Sequence, residues 1–216
     1  MQLSNFYTSS IGRKVIMAST GLFLMAFLVV HLGLNATIFA GDDGALFDRT
    51  ADFLRHNWGL HLLEVLVFGC FILHIWQGIA LTRDNRSKRS TPYAVSPGLS
   101  LDPARYMGVL GVIIFAFLLF HLYQFWLPNA IGTRSANLSR LMQATMTRSW
   151  VVAIYTLGSI AVAIHLLHGW RSAAISFGVT DRYLRLISAI GISLAIGVPL
   201  GLATIPIAMF FKLLQI

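Results

Sequence analysis

Long apolar runs separated by short polar stretches dominate this chain. Five runs, at 15–40, 58–82, 106–127, 150–172 and 184–211, are long enough to cross a hydrocarbon core of about 30 Å, which takes about 20 helical residues. Their apolar positions are continuous, not alternating, and so predict helices over barrel strands. The stretches between them leave no space for a soluble domain. The longest, near 83–105 and 128–149, hold Pro, Asn, Ser and charge and read as surface loops or short interfacial helices. The pattern predicts an all-α membrane protein, a single domain over 1–216 with five transmembrane helices.

Composition sharpens this picture. Of 216 residues, 56% are hydrophobic and only 11% charged, with mean hydropathy +0.73; a soluble domain of this length needs far more charge to cover its surface. The net charge of +8 could suggest nucleic acid, but the basic residues lie in the loops, where insertion topology places them. Arg13, Lys14, Arg83, Arg86, Lys88, Arg89, Arg105, Arg171, Arg182 and Arg185 fall on the side of the N-terminus, and Arg49, Arg55, Arg134, Arg140, Arg148 and Lys212 on the other. Ten against six predicts a cytoplasmic N-terminus. The acidic run "GDDGALFDRTAD" counts little either way. The opening "MQLSNFYTSSIGRK" lacks a signal-peptide layout, so the first apolar run is expected to remain as a span. Cys70 lies inside an apolar run and reads as a small core residue, with no disulfide framework or cysteine metal motif.

The fifth run contains no histidine. Gly197 and Gly201 form a small-xxx-small pair suited to close helix contact, and Pro199 and Pro206 are expected to kink the helix. It reads as a packing helix.

The first four runs each carry one deep histidine: His31, His74, His121 and His165. Each lies about 14–16 residues from the end at which its helix enters, or roughly 21–24 Å at 1.5 Å per residue. Successive helices alternate direction, so His31 and His121 share one level and His74 and His165 another, about 12–16 Å apart. A buried imidazole left unpaired costs a few kcal/mol. One such residue could serve a helix contact or a proton path; four, falling into two level pairs, point to metal ligation. Two histidines without carboxylate or thiol suit zinc or bare iron poorly. A porphyrin supplies four further nitrogens, and haem iron takes axial ligands from opposite faces. The expectation is two bis-histidine b haems, with His31 and His121 on the outer iron and His74 and His165 on the inner, so that the first four helices form a haem-binding bundle.

Gly78 and Gly169 each follow a ligand by four residues, on the same helix face, where a flat macrocycle needs space. Gly33 and Gly111 are less diagnostic. His168 lies about 4–5 Å along the axis from His165 and does not share its iron. With Arg171 it is a candidate for haem propionates, or it simply reaches toward water. His56 and His61 lie at the outer start of the second span and read as interfacial.

These residues resemble a family. "SSIGRKVIMASTG", "VVHLGLN", "LHIWQGI", "FHLYQFW" and "IHLLHGWRSAAISFG", in this order and over nearly the whole chain, resemble the single-subunit, five-helix dihaem cytochrome b anchor of succinate:quinone oxidoreductases and quinol:fumarate reductases. The resemblance implies that the first helix pairs with the third and the second with the fourth, and that the ligand of the fourth is His165. It also implies a flavoprotein subunit and an iron–sulfur subunit on the cytoplasmic face of a bacterial inner membrane. Electrons then pass from succinate to a quinone, usually menaquinone, or in reverse to fumarate. An oligomer of the whole complex is compatible with it.

Reducing a quinone takes protons as well as electrons. Glu64, the one glutamate of the chain, lies within the second span, about 15 Å outward of His74, and a carboxyl there is a functional candidate. His61, three residues earlier, could relay protons to it, and Trp58 and Trp126 could flank a quinone ring. The competing readings for Glu64 are a helix-to-helix hydrogen bond and a cytoplasmic quinone site near Ser19, Thr20 and Arg83.

Two other classes compete for the whole chain. Dihaem anchors of formate dehydrogenases, hydrogenases and nitrate reductases distribute their ligands differently. A small histidine-lined transporter predicts no colour and no tight partners. The chain has no dinucleotide fingerprint, cluster cysteines or flavin domain, so succinate chemistry belongs to partners. "RDNRSKRS" and the Arg182–Arg185 turn are the candidate docking face, or serve as topology signal and headgroup contact.

Overall fold

The computed structural model describes residues 9–87, 103–130, 137–214 and 216. The long helices are α1 (Ser10–Ala36), α3 (Trp58–Ser87), α4 (Pro103–His121), α7 (Ser149–Ser176) and α8 (Asp181–Phe210), with shorter helices α2 (Ala45–His56), α5 (Leu127–Ala130) and α6 (Leu138–Met146). Five stretches are long and apolar enough to cross a membrane: Ile11–Phe39, Trp58–Asp84, Tyr106–Trp126, Ser149–Ser176 and Arg185–Phe210. They coincide with the five apolar runs to within a few residues. The chain is an all-helical integral membrane protein among its described residues. The side on which α1 begins is called the near side below, and the opposite side the far side.

Local chemistry sets the ends of the helices. The Ser9 hydroxyl accepts from the Gly12 amide at 3.0 Å and caps α1. Gly178 adopts φ +71°, and the Val179 amide turns back to the Ala174 carbonyl at 3.1 Å, closing α7 through a left-handed residue. On the far side, positive φ at Gly41, Asp43 and Gly44 folds the chain sharply, and Asp42 Oδ2 accepts from the Leu46 amide at 2.8 Å at the start of α2. This amphipathic helix, Ala45–His56, falls within the acidic connection between the first two spans.

Four long helices form a bundle in which α1 touches α3 and α7, and α4 touches α7 and, more lightly, α3. Around this square, α1 faces α4 and α3 faces α7 across the diagonals. Helix α8 lies outside it, most extensively against α7 and also against α1, and continues through Pro199 and Pro206.

The small-xxx-small expectation needs correction. A side chain at Gly201 would crowd Leu32 of α1, but nothing lies within 4 Å of one at Gly197, so the two glycines do not share an interface. The second close approach of α8 is at Gly191, where an added methyl would fall inside the Trp170 indole; that indole N–H donates to the Ile187 carbonyl at 2.8 Å. Gly191→Ala is therefore expected to destabilise the protein by about 1–3 kcal/mol through overpacking, measured as a lower unfolding temperature in detergent.

The tightest core sits at the far end. Ile38, Phe47, Met142, Met146, Val151, Val152, Tyr155, Ile205 and Met209 pack together there, where α2 and α6 fold over the bundle. Asp48 of α2 accepts from both the amide and the hydroxyl of Ser139, at 2.8 and 2.7 Å, which ties the two lids together. Tyr155 belongs to this core and also reaches His121 in the bundle.

Candidate functional site

The four deep histidines meet in two pairs, each across a diagonal. The ring centres of His31 on α1 and His121 on α4 are 5.8 Å apart, with planes at 82°. Those of His74 on α3 and His165 on α7 are 6.2 Å apart, with planes at 67°. Among the described residues no hydrogen bond joins the two rings of either pair. Two imidazoles on opposite sides of one metal ion need a bond of about 2 Å and about another ångström from nitrogen to ring centre on each side, roughly 6 Å in all. Both spacings fit this. No group of three or more His, Cys, Asp or Glu able to hold a metal occurs among the described residues, and a metal between these rings would need donors besides the two imidazoles. The four nitrogens of a porphyrin would meet that need.

The surroundings orient one ring of each pair. Tyr155 gives its single proton to Gln124 Oε1 at 2.9 Å, so its oxygen, 3.3 Å from His121 Nδ1, accepts from that nitrogen. Thr20 donates to the Ile16 carbonyl at 2.9 Å, so its oxygen, 3.1 Å from His74 Nδ1, accepts likewise. With Nδ1 protonated, Nε2 of His74 and of His121 carries the free lone pair a metal takes. Among the described residues the opposite ring of each pair has no such tie, and His165 Nδ1 is buried without a partner there.

Packing holds these rings in place. Phe117 and Phe125 lie 6.3 and 5.6 Å from His121, and Phe27 lies 5.5 Å from His31. A side chain at Gly158 would collide with the Phe117 ring, and one at Gly21 would come within 3.2 Å of His74 Cε1. Sequence reasoning did not find Tyr155, Gln124, Gly21 or Gly158, and named Thr20 only for a quinone.

Other candidates fall differently. Gly169 has open space before it, and a methyl at Gly78 would make only ordinary contact with Met17, at 3.6 Å, so neither position is crowded. His168 is half-buried and Arg171 exposed, and among the described residues no hydrogen bond joins them to each other or to either pair. Lys88 and Arg89 of the basic face lie outside the described residues.

Glu64 forms a cluster at the far side. It accepts from the Trp126 indole N–H and lies 3.3 Å from His61 Nδ1, while His61 Nε2 lies 2.9 Å from the Arg55 carbonyl. Trp126 stacks edge-on against Phe68 at 5.2 Å, and Trp58 stays exposed, apart from this contact set. A wide π turn, Leu122–Trp126, brings Trp126 there; the Leu127 amide bonds the Leu122 carbonyl, and Pro128, having no amide proton, cannot restore the tighter α pattern. The same turn carries Gln124 to Tyr155. The hydrogen bond from Trp126 means that Glu64 does bridge two helices, which is compatible with a proton role as well as a packing one. At the near side Thr20 is buried against His74, Ser19 and Arg83 are exposed, and Arg13 pairs with Asp84 at 2.5 Å, tying α1 to the end of α3.

The chain matches no family model, no curated protein and no solved structure.

Proposed function

We propose that this chain is the membrane anchor and electron-transfer subunit of a succinate:menaquinone oxidoreductase, holding two b haems between an iron–sulfur subunit and the membrane quinone. The observation that carries this reading is the pair of diagonal histidine contacts, 5.8 and 6.2 Å between ring centres, in a chain with five membrane-length helices. Bound there, the haems supply two one-electron relays across the bilayer. His31 and His121 hold the far one, His74 and His165 the near one, and Tyr155 and Thr20 orient a ligand of each. Glu64 and His61 hold the protons a quinone takes up or gives back at its oxygens.

In this reading the near side is cytoplasmic, in a bacterial inner membrane. A flavoprotein and an iron–sulfur subunit dock on it, along the basic face that includes Arg182 and Arg185. The same chain would serve a quinol:fumarate reductase with the flow reversed. A haemochrome assay in pyridine on purified protein, with a redox titration alongside, tests the proposal. Two b haems per chain and two separable midpoints are expected. Folded protein without haem would overturn it and favour a histidine-lined transporter.

A further inference from the structure

The two histidine pairs share a design: one imidazole is tied through Nδ1 and the other is not. At the far pair the tie runs from His121 to Tyr155 and on to Gln124. At the near pair it runs from His74 to Thr20 and on to the Ile16 carbonyl. The rings of His31 and His165 make no hydrogen bond among the described residues. The acceptors also differ, a phenol linked to an amide on one side and an aliphatic hydroxyl linked to backbone on the other.

We infer that the hydroxyls of Tyr155 and Thr20 are positioning groups that set the reduction potentials of the far and near centres separately. This rests on the haem reading above. An imidazole that donates from Nδ1 to an acceptor pushes electron density to Nε2, which makes it a more basic ligand and favours the oxidised metal. Each relay polarises its acceptor further, because the hydroxyl passes its own proton onward. Neither hydroxyl reaches the other pair: Tyr155 is held in the far core and Thr20 is buried on α1 beside His74. Removing one should therefore raise one midpoint and leave the other in place.

The test is an optical redox titration of the full chain carrying its haems, with haem counted per chain in every sample. Tyr155→Phe and Thr20→Val are each expected to move one wave upward, and not the same wave. The expected change is about three- to tenfold in the ferrous to ferric ratio at fixed potential, tenfold being 59 mV for a one-electron couple. Thr20→Ser should restore the parent value, which a purely structural role of the methyl would not allow. Should Tyr155→Phe fail to fold, Gln124→Leu addresses the same relay and is expected to move the same wave. Two haems per chain with both waves moving together, or with neither moving, would overturn the inference. A parent protein without haem would instead overturn the reading beneath it.

Discussion

His121→Ala protein is expected to carry one haem per chain where the dihaem proposal gives the parent two, and His165→Ala to lose the other. Each histidine belongs to one pair only, and its partner lies across a diagonal on a different helix. Losing one imidazole would leave its centre a single protein ligand, while the second centre would keep both. Pyridine haemochrome measures the loss, and the midpoint that survives identifies the centre. His168→Ala is the discriminating control. It sits on α7 three residues from His165, but it is His165 whose ring faces His74, so the variant should retain both haems. Loss of haem from His168→Ala with retention in His165→Ala would exchange the roles of the two residues.

The second large effect is expected at Glu64. Glu64→Gln should lower quinone turnover on the order of a hundredfold or more, the scale of a lost acid–base group, with haem spectra unchanged. The Arg55 carbonyl can only accept, so the Nε2 that faces it at 2.9 Å carries a proton. His61 Nδ1 lies 3.3 Å from Glu64 Oε2, close enough for a proton to pass between ring and carboxylate. A glutamine keeps the shape and can still accept from Trp126, but it cannot give or take that proton. Steady-state quinone reduction compared with haem reduction by dithionite separates the two effects. Undiminished turnover would remove the far-side quinone site and return Glu64 to a helix-bridging role.

Some of this architecture could be read directly from residue order. The apolar runs marked the spans to within a few residues because twenty continuous apolar positions have few other uses. Alternating helix direction assigned His31 to the level of His121, and His74 to that of His165, before any contact was visible. Rotation about each helix axis was not legible, because a run apolar all round carries no periodic mark of which face points inward. Tyr155, Thr20 and Gly158 depend on that rotation, as does the separation of Gly197 from Gly201. Helix α2 was legible in principle: Phe47, Thr50 and Leu54 follow helical spacing, but the run is short and Asp48, Arg49, Asp52 and Arg55 interrupt its apolar period. Pro128 was the available sign of the turn that carries Gln124 and Trp126.

The bundle also has an order in time. Helix α7 is the element that touches both α1 and α4 broadly, and it is the fourth of the five spans to leave the ribosome. The end of α7 follows His121 by about 55 residues, a delay of roughly 3–11 s at about 5–20 residues per second. Throughout that interval His31, His74 and His121 are already made, but the helix that squares the bundle and supplies Tyr155 and His165 is not. A nascent chain at this stage holds polar rings in lipid at a cost of a few kcal/mol each. The arrival of α7 is thus the step in biogenesis at which a loose set of hydrophobic hairpins becomes a bundle with both histidine pairs in place.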